Sequence, residues 1–336
     1  MHVYYADHFV LPLPAGHRFP MSKYGALRDR LVATWPQAIR LQEAPEATTG
    51  QLAMAHTPAY IAAVADGSLT AAQQREIGFP WSPEMAARAR RSVGATLAAL
   101  RIAQQEGVAA NIAGGTHHAT ADRGGGFCVF NDMAVAARVV QAEWGRTRRR
   151  ACQVAVIDLD VHQGNGTAKI CRSDPTIFTL SLHGARNYPF QKEPGDLDVE
   201  LPDGCEDGEY LQALDTALAV LDEHFVPDLV LYLAGADPHE GDRLGRLRLT
   251  DAGMRARDRR VFDWAWQRRL PLAFAMGGGY GRDMESTLRV QMQTYEEALA
   301  AHRRGAGAGG PAAGAGTPRA RKSGRATQLG GPCHSC

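Results

Sequence analysis

The sequence predicts an α/β protein whose parallel strands are covered on both faces. Three observations carry that prediction. Short apolar runs with β-branched residues recur at 108–113, 154–157, 229–233 and 272–276. Stretches of helical periodicity separate them, the pattern of parallel strands joined by crossover helices. Each run also ends abruptly in Gly, His, Asp or Tyr. Open α/β sheets bind ligands just outside the carboxyl ends of their strands.

From the start of the chain, residues 1–8 lack a basic region followed by an apolar stretch, so they read as a first strand and not as a signal peptide. Residues 16–47 are less regular, with a helix expected over 21–34. Further helices are expected over 83–105, 131–144, 209–224, 251–267 and 283–302. Asp132 and Asp251 stand near two of their N-termini, where acids favour the helix dipole. Two inserts, 123–127 and 183–190, are suited to form a pocket rim.

Composition changes sharply near Arg303. The segment 305–316 is almost entirely Gly and Ala, and Arg319, Arg321, Lys322 and Arg325 follow without an acid. Such a stretch buries too little apolar surface to fold. The chain therefore divides into a folded domain, 1–303, and a disordered basic tail, 304–336. Cys333 and Cys336 form a lone C-x-x-C there; without a second pair they read as a loose thiol-bearing end.

Overall composition narrows the class. The 336 residues are 45% hydrophobic with a net charge of +1. A chain of this length can bury a large core. So small a net charge shows no nucleic-acid footprint on the whole molecule, leaving only the tail as a basic segment. No apolar run reaches the length of a membrane span. Six scattered cysteines are too few to staple the chain, so a soluble protein in the reducing cytoplasm is expected.

The stretch 154–166 is the most informative. Its apolar run ends in Asp158, Asp160 and His162, and alternation along a strand puts all three on one face. Asp160, His162 and Asp237 form the expected metal shell. Three protein ligands leave a position open for water and substrate. Two carboxylates and one imidazole suit Zn²⁺, with Fe²⁺ or Co²⁺ also possible. Asp160 and His162 alone fit a capped loop as well. With Asp237 and two histidines also at strand ends, unpaired buried carboxylates become too costly for that reading.

His117 and His118 follow a strand end, where both can reach a cleft. Activated water needs a base, and a leaving amine needs an acid. Asp158 and Asn165 are suitable partners for the far ring nitrogens. A carboxylate raises its histidine's proton affinity and an amide does so much less. The amide-paired histidine is therefore the one expected to be neutral and to act as base. Tyr280, after Gly277-Gly278-Gly279, is placed to donate its phenol to an oxyanion. The three glycines lack both phosphate-loop patterns. Phe127 and Phe190 fit either channel walls or ordinary packing.

At these residues the chain resembles the histone deacetylase superfamily of metal-dependent deacylases, and within it the bacterial proteins similar to class IV enzymes. The matching blocks are 114–119, 125–132, 158–167, 181–184, 235–245 and 277–280, in the family's order, within 1–303. The resemblance implies the arginase/deacetylase fold, a three-layer α/β/α sandwich around a mostly parallel eight-stranded sheet. It implies Zn²⁺ on Asp160, His162 and Asp237, Asp158 behind His117, and Asn165 behind His118. It implies His118 as main general base and Tyr280 as the group that polarises the scissile carbonyl. A structural K⁺ site is implied at Asp158 and Ser181, with backbone carbonyls of Asp160, His162 and Leu182. Gly126 and Phe127 would line an acyl-lysine channel, with Phe190 opposite.

Two departures stand out. Asn165 replaces an Asp frequent in the family. Gly25 falls where some members place an arginine beside a product-exit channel. The implied reaction is hydrolysis of N-ε-acetyl-lysine in a peptide or of a related N-acyl amine. Acetylpolyamines, small N-acyl metabolites and a silent acyl-lysine binding module are the alternatives. A binuclear manganese ureohydrolase would need a paired Asp-x-Asp that 237–240 does not supply. Membrane partners are not expected, and nucleic acid only through the tail.

Overall fold

The chain is described by a computed structural model covering residues 1–6, 11, 13–14, 16–148 and 150–307. Its strands are β1 (His2–Tyr5), β2 (Arg40–Glu43), β3 (Val108–Asn111), β4 (Val154–Asp158), β5 (Ile177–Gly184), β6 (Leu197–Leu201), β7 (Leu229–Gly235) and β8 (Leu272–Gly277). They form one eight-stranded sheet in the order β2-β1-β3-β8-β7-β4-β5-β6. Every pair is parallel, so the sheet is wholly parallel where a mostly parallel one was expected. Helices flank it in a three-layer α/β/α sandwich.

The sheet's chemistry follows its position. Every residue of β3, β4, β7 and β8 is buried, as a strand covered on both faces requires. At one edge, β2 reads Arg-Leu-Gln-Glu and is mostly exposed. At the other, β6 alternates buried Leu197, Val199 and Leu201 with the more accessible Asp198 and Glu200. The chain leaves β3, places β4 three positions away, and later fills the two-strand gap with β7 and β8. A crevice at such a switch point is where α/β sheets hold ligands.

The helices are α1 (Lys23–Thr34), α2 (Thr49–Leu52), α3 (Pro58–Asp66), α4 (Ala71–Ile77), α5 (Pro83–Glu106), α6 (Asp132–Thr147), α7 (Asn165–Cys171), α8 (Asp207–His224), α9 (Asp251–Gln267) and α10 (Met284–Gly307). Side-chain caps start several of them. Ser82 accepts from Met85 N with Pro83 in the first turn, Asn131 accepts from Ala134 N, and Thr250 accepts from Gly253 N. α10 runs to Gly307, past the boundary expected at 303. Residues 308–336, with Cys333 and Cys336, lie outside the described residues. No helix among the described residues is long and apolar enough to cross a membrane.

One local expectation changes. β4 stops at Asp158, so strand alternation does not place Asp160 and His162. Asp158 Oδ1 accepts from Asp160 N at 3.2 Å, and Asp160 Oδ1 accepts from His162 N at 3.0 Å. Each carboxylate turns the chain that follows it, and a loop gathers the three side chains.

Candidate metal centre and active site

Four contiguous strands, β3, β8, β7 and β4, deliver the site residues from their carboxyl ends. After β3 the chain passes through Gly114 and Gly115, then Thr116. Asp132, buried at the start of α6, accepts from Gly115 N at 3.0 Å and Thr116 N at 2.8 Å. Its carboxylate therefore anchors the loop carrying His117 and His118, a larger role than the dipole complement expected of it.

The two histidines lie with ring centroids 4.1 Å apart. His117 Nδ1 is 2.6 Å from Asp158 Oδ2, and His118 Nδ1 is 2.7 Å from Asn165 Oδ1. Their proton affinities diverge accordingly. Burial lowers that of His117, but the charge and hydrogen bond of Asp158 outweigh it and leave its pKa raised to about 9. Burial and then the charge of His117 hold His118 well below the ordinary value, and Asn165 offsets little of this. A pair of groups driven apart in this way is suited to acid–base work.

Asp160, His162 and Asp237 bring one ligand atom each to within 4.8 Å of the others. His162 Nδ1 lies 2.9 Å from Asp160 Oδ1 and 3.2 Å from Asp237 Oδ2. Asp237 Oδ1 accepts from Val161 N at 2.9 Å, while its buried Oδ2 accepts no hydrogen bond. Burial, then the nearby charge of Asp160, raises the Asp237 pKa. Two buried carboxylates beside one imidazole form a donor set that a divalent cation completes. Gly278 (φ 56°) permits this approach, since a Cβ there would stand 2.2 Å from Asp237 Oδ2. Among the described residues this is the one group of three such ligands, which fits a mononuclear centre.

Tyr280 follows the glycine turn after β8. Its backbone N–H donates to Asp242 Oδ2 at 2.6 Å. Burial pushes the phenol well above its ordinary range, so it stays a proton donor. Behind it lies a residue that sequence reasoning missed. Lys23 on α1 is only 2% exposed, and its Nζ donates to the carbonyls of Gly278 and, at 3.3 Å, Gly279. The same nitrogen sits 5.0 Å from the Tyr280 ring centroid. The basic group at the glycine turn is thus Lys23. Lysine stems are so often solvent-facing that nothing in the local sequence marked this one.

The rim insert 123–127 packs onto the histidines. A Cβ on Gly126 would stand 2.5 Å from His118 Cδ2, so only glycine lets the loop come this close. Phe127 adopts φ 65°, rare for a non-glycine residue. Hydrogen bonds from Gly126 N to Glu76 O and from Phe127 N to Ile77 O hold that turn. The Phe127 ring lies 5.2 Å from Phe19, 5.3 Å from Phe79 and 6.0 Å from Tyr280. Phe190 does not face it. Phe190 is 86% exposed, and its ring contact is with Tyr188 at 6.3 Å. The aromatic beside His118 is Tyr188, edge-on at 4.9 Å. Ser181 pairs in register with Asp158 across β5 and β4, and Leu182 follows it.

Comparison with known proteins shows the family. Residues 17–295 match the family described as histone deacetylase domain, which places the chain among the hydrolases of the deacetylase class. An uncharacterized protein of Picosynechococcus is 42% identical over 285 residues, 84% of this chain and 92% of that protein. Histone deacetylase 2 of Arabidopsis thaliana is 34% identical over 291 residues, 83% of this chain and 73% of that protein. The crystal structure of a histone deacetylase homologue from Aquifex aeolicus superposes with a TM-score of 0.74 at 23% identity, covering 89% of this chain and 84% of that one. This chain belongs to the histone deacetylase family.

Proposed function

We propose that the protein is a zinc-dependent deacylase that hydrolyses the amide of acetyl-lysine or a related N-acyl amine. The observation that carries this reading is the pair of unlike histidines, His117 on Asp158 and His118 on Asn165, beside the cluster of Asp160, His162 and Asp237. Asp160, His162 and Asp237 would hold the Zn²⁺, which would supply Lewis acidity and a more acidic water. His118, kept neutral, accepts the water proton. The Tyr280 phenol donates to the oxygen on which negative charge develops. His117, with its raised affinity, keeps a proton near neutral pH for the departing amine. Gly126, Phe127 and Tyr188 frame the acyl chain and exclude water around it. Asp158, Ser181 and the backbone carbonyls of Asp160, His162 and Leu182 would hold a structural K⁺.

The test is Zn²⁺-reconstituted hydrolysis of acyl-lysine peptides, acetylpolyamines and small N-acetyl amines, with Asp160→Ala and His118→Ala in parallel. Turnover lost in both variants is the expected result, and the panel identifies the amine carrier. Acyl-lysine binding without turnover on any substrate would replace the enzyme with a binding module.

A further inference from the structure

Helix α9 carries a charge that this chemistry does not use. Arg257 is fully buried, and a guanidinium away from water is costly unless its donors are matched. Asp258, equally buried, accepts from Arg257 Nε at 2.8 Å and lies 2.7 Å from Nη2. The Tyr232 hydroxyl on β7 and Thr294 Oγ1 on α10 donate to the same carboxylate at 2.5 and 2.6 Å. Three elements therefore fix Asp258. The remaining nitrogen, Nη1, donates to two backbone carbonyls, Leu159 at 3.1 Å and Gly235 at 2.5 Å.

Those two carbonyls stand at the ends of neighbouring strands. Leu159 immediately precedes Asp160, and Gly235 closes β7 two residues before Asp237. The regular pairing of β4 with β7 ends at Asp158 and Leu233. Just past it, the backbone bond from Leu159 N to Leu233 O, the bond from Val161 N to Asp237 and the guanidinium tie the two loops together. We infer that Arg257 is a positioning residue that sets the spacing of Asp160 and Asp237, and so the affinity of the centre for its divalent ion. The planar fork matters. Nε donates to Asp258, with Nη2 in ionic contact with the same carboxylate, while Nη1 bridges the carbonyls, a division of labour that a single lysine nitrogen cannot reproduce. This inference rests on the metal-centre reading above.

The experiment titrates metal-stripped protein with Zn²⁺ against a chelator of known affinity, at a temperature where circular dichroism shows each variant folded. Arg257→Lys should raise the Zn²⁺ dissociation constant about 10–100-fold, the range for groups that orient metal ligands. Thr294→Val loosens Asp258 without touching the guanidinium and should weaken binding in the same direction by less. Arg259→Gln breaks a pair with Glu297 on the outer side of α9 and should leave affinity within about twofold. Unchanged affinity in Arg257→Lys, with only a lower melting temperature, would make Arg257 a core residue and overturn the inference. Should that variant fail to fold, unchanged affinity in Thr294→Val overturns it instead. No Zn²⁺ uptake by the wild-type chain would remove the metal centre itself, and this inference with it.

Discussion

His118 Nδ1 lies 2.7 Å from the amide oxygen of Asn165. An amide oxygen only accepts, so the imidazole carries its proton on Nδ1 and keeps Nε2 free. With its pKa held well below the usual range, His118 is a base over most of the working pH range. Asn165→Asp puts a carboxylate in that position, which favours the imidazolium. The acid limb of kcat/KM should then move to higher pH. A profile from about pH 5 to 10 reads the shift. An acid limb that stays put would remove His118 as the base.

His117 responds in the opposite sense. Burial disfavours its charged form, but Asp158 prevails and holds the pKa at about 9, against an ordinary 6.5. A folded-state value above the unfolded one gives stability that is fully present below the unfolded pKa. That stability is lost as pH rises through the folded value. Activity should therefore fall on an alkaline limb near 9. Asp158→Asn should move that limb to lower pH. The wild type should lose urea resistance as pH rises from 6.5 to about 9, and the variant should lose less. Equal losses would show that the Asp158 contact does not charge His117.

Much of the candidate centre was legible because its residues sit at the ends of buried strands. β3, β4, β7 and β8 are continuous apolar runs, and each announces its end with a polar or glycine residue. The edge strand β2 has no apolar run to find, since it is mostly exposed. Lys23 and Arg257 were invisible for the same reason that makes them informative. Their burial is decided by elements distant in sequence: the glycine turn meets Lys23, and β4 and β7 meet Arg257. That Phe190 is exposed could not be read either, because a loop's direction is a tertiary property that hydrophobicity does not encode.

Tyr280 offers a direct test of oxyanion stabilisation. Tyr280→Phe keeps the ring against Phe19 and Phe127 and removes only the donor. Loss of one such donor lowers kcat by about 10²–10³. Zn²⁺ affinity should stay unchanged, because the phenol is not among the ligand atoms. A variant with full turnover would place the phenol outside the reaction.

Lys23 should act through that tyrosine. Lys23→Met fills similar space but leaves the Gly278 and Gly279 carbonyls without their donor. Each buried acceptor left unmatched costs about 1–3 kcal/mol. The glycine turn should relax, and kcat should fall about 2- to 10-fold if roughly half of one such penalty reaches the transition state. KM should change little, since Lys23 lies behind the turn. A lower melting temperature with kcat intact would confine Lys23 to stability.

The last prediction separates the two aromatic candidates for the outer wall. Tyr188 stands edge-on to His118, with centroids 4.9 Å apart and planes at 84°, and is 38% exposed. Phe190 is 86% exposed, two residues further along the same insert. An acyl chain entering beside His118 meets the first ring and not the second. Aromatic contacts of this kind are worth about 0.5–1.5 kcal/mol, a factor of about 2–10 in binding. Tyr188→Ala should therefore raise KM by that factor and disturb His118, lowering kcat as well. Phe190→Ala removes a ring that burial does not hold in place, and should leave both constants within about twofold. Steady-state kinetics on one acyl-lysine peptide decides the matter. Equal losses in the two variants would mean that the insert folds over the substrate and brings Phe190 back as the wall.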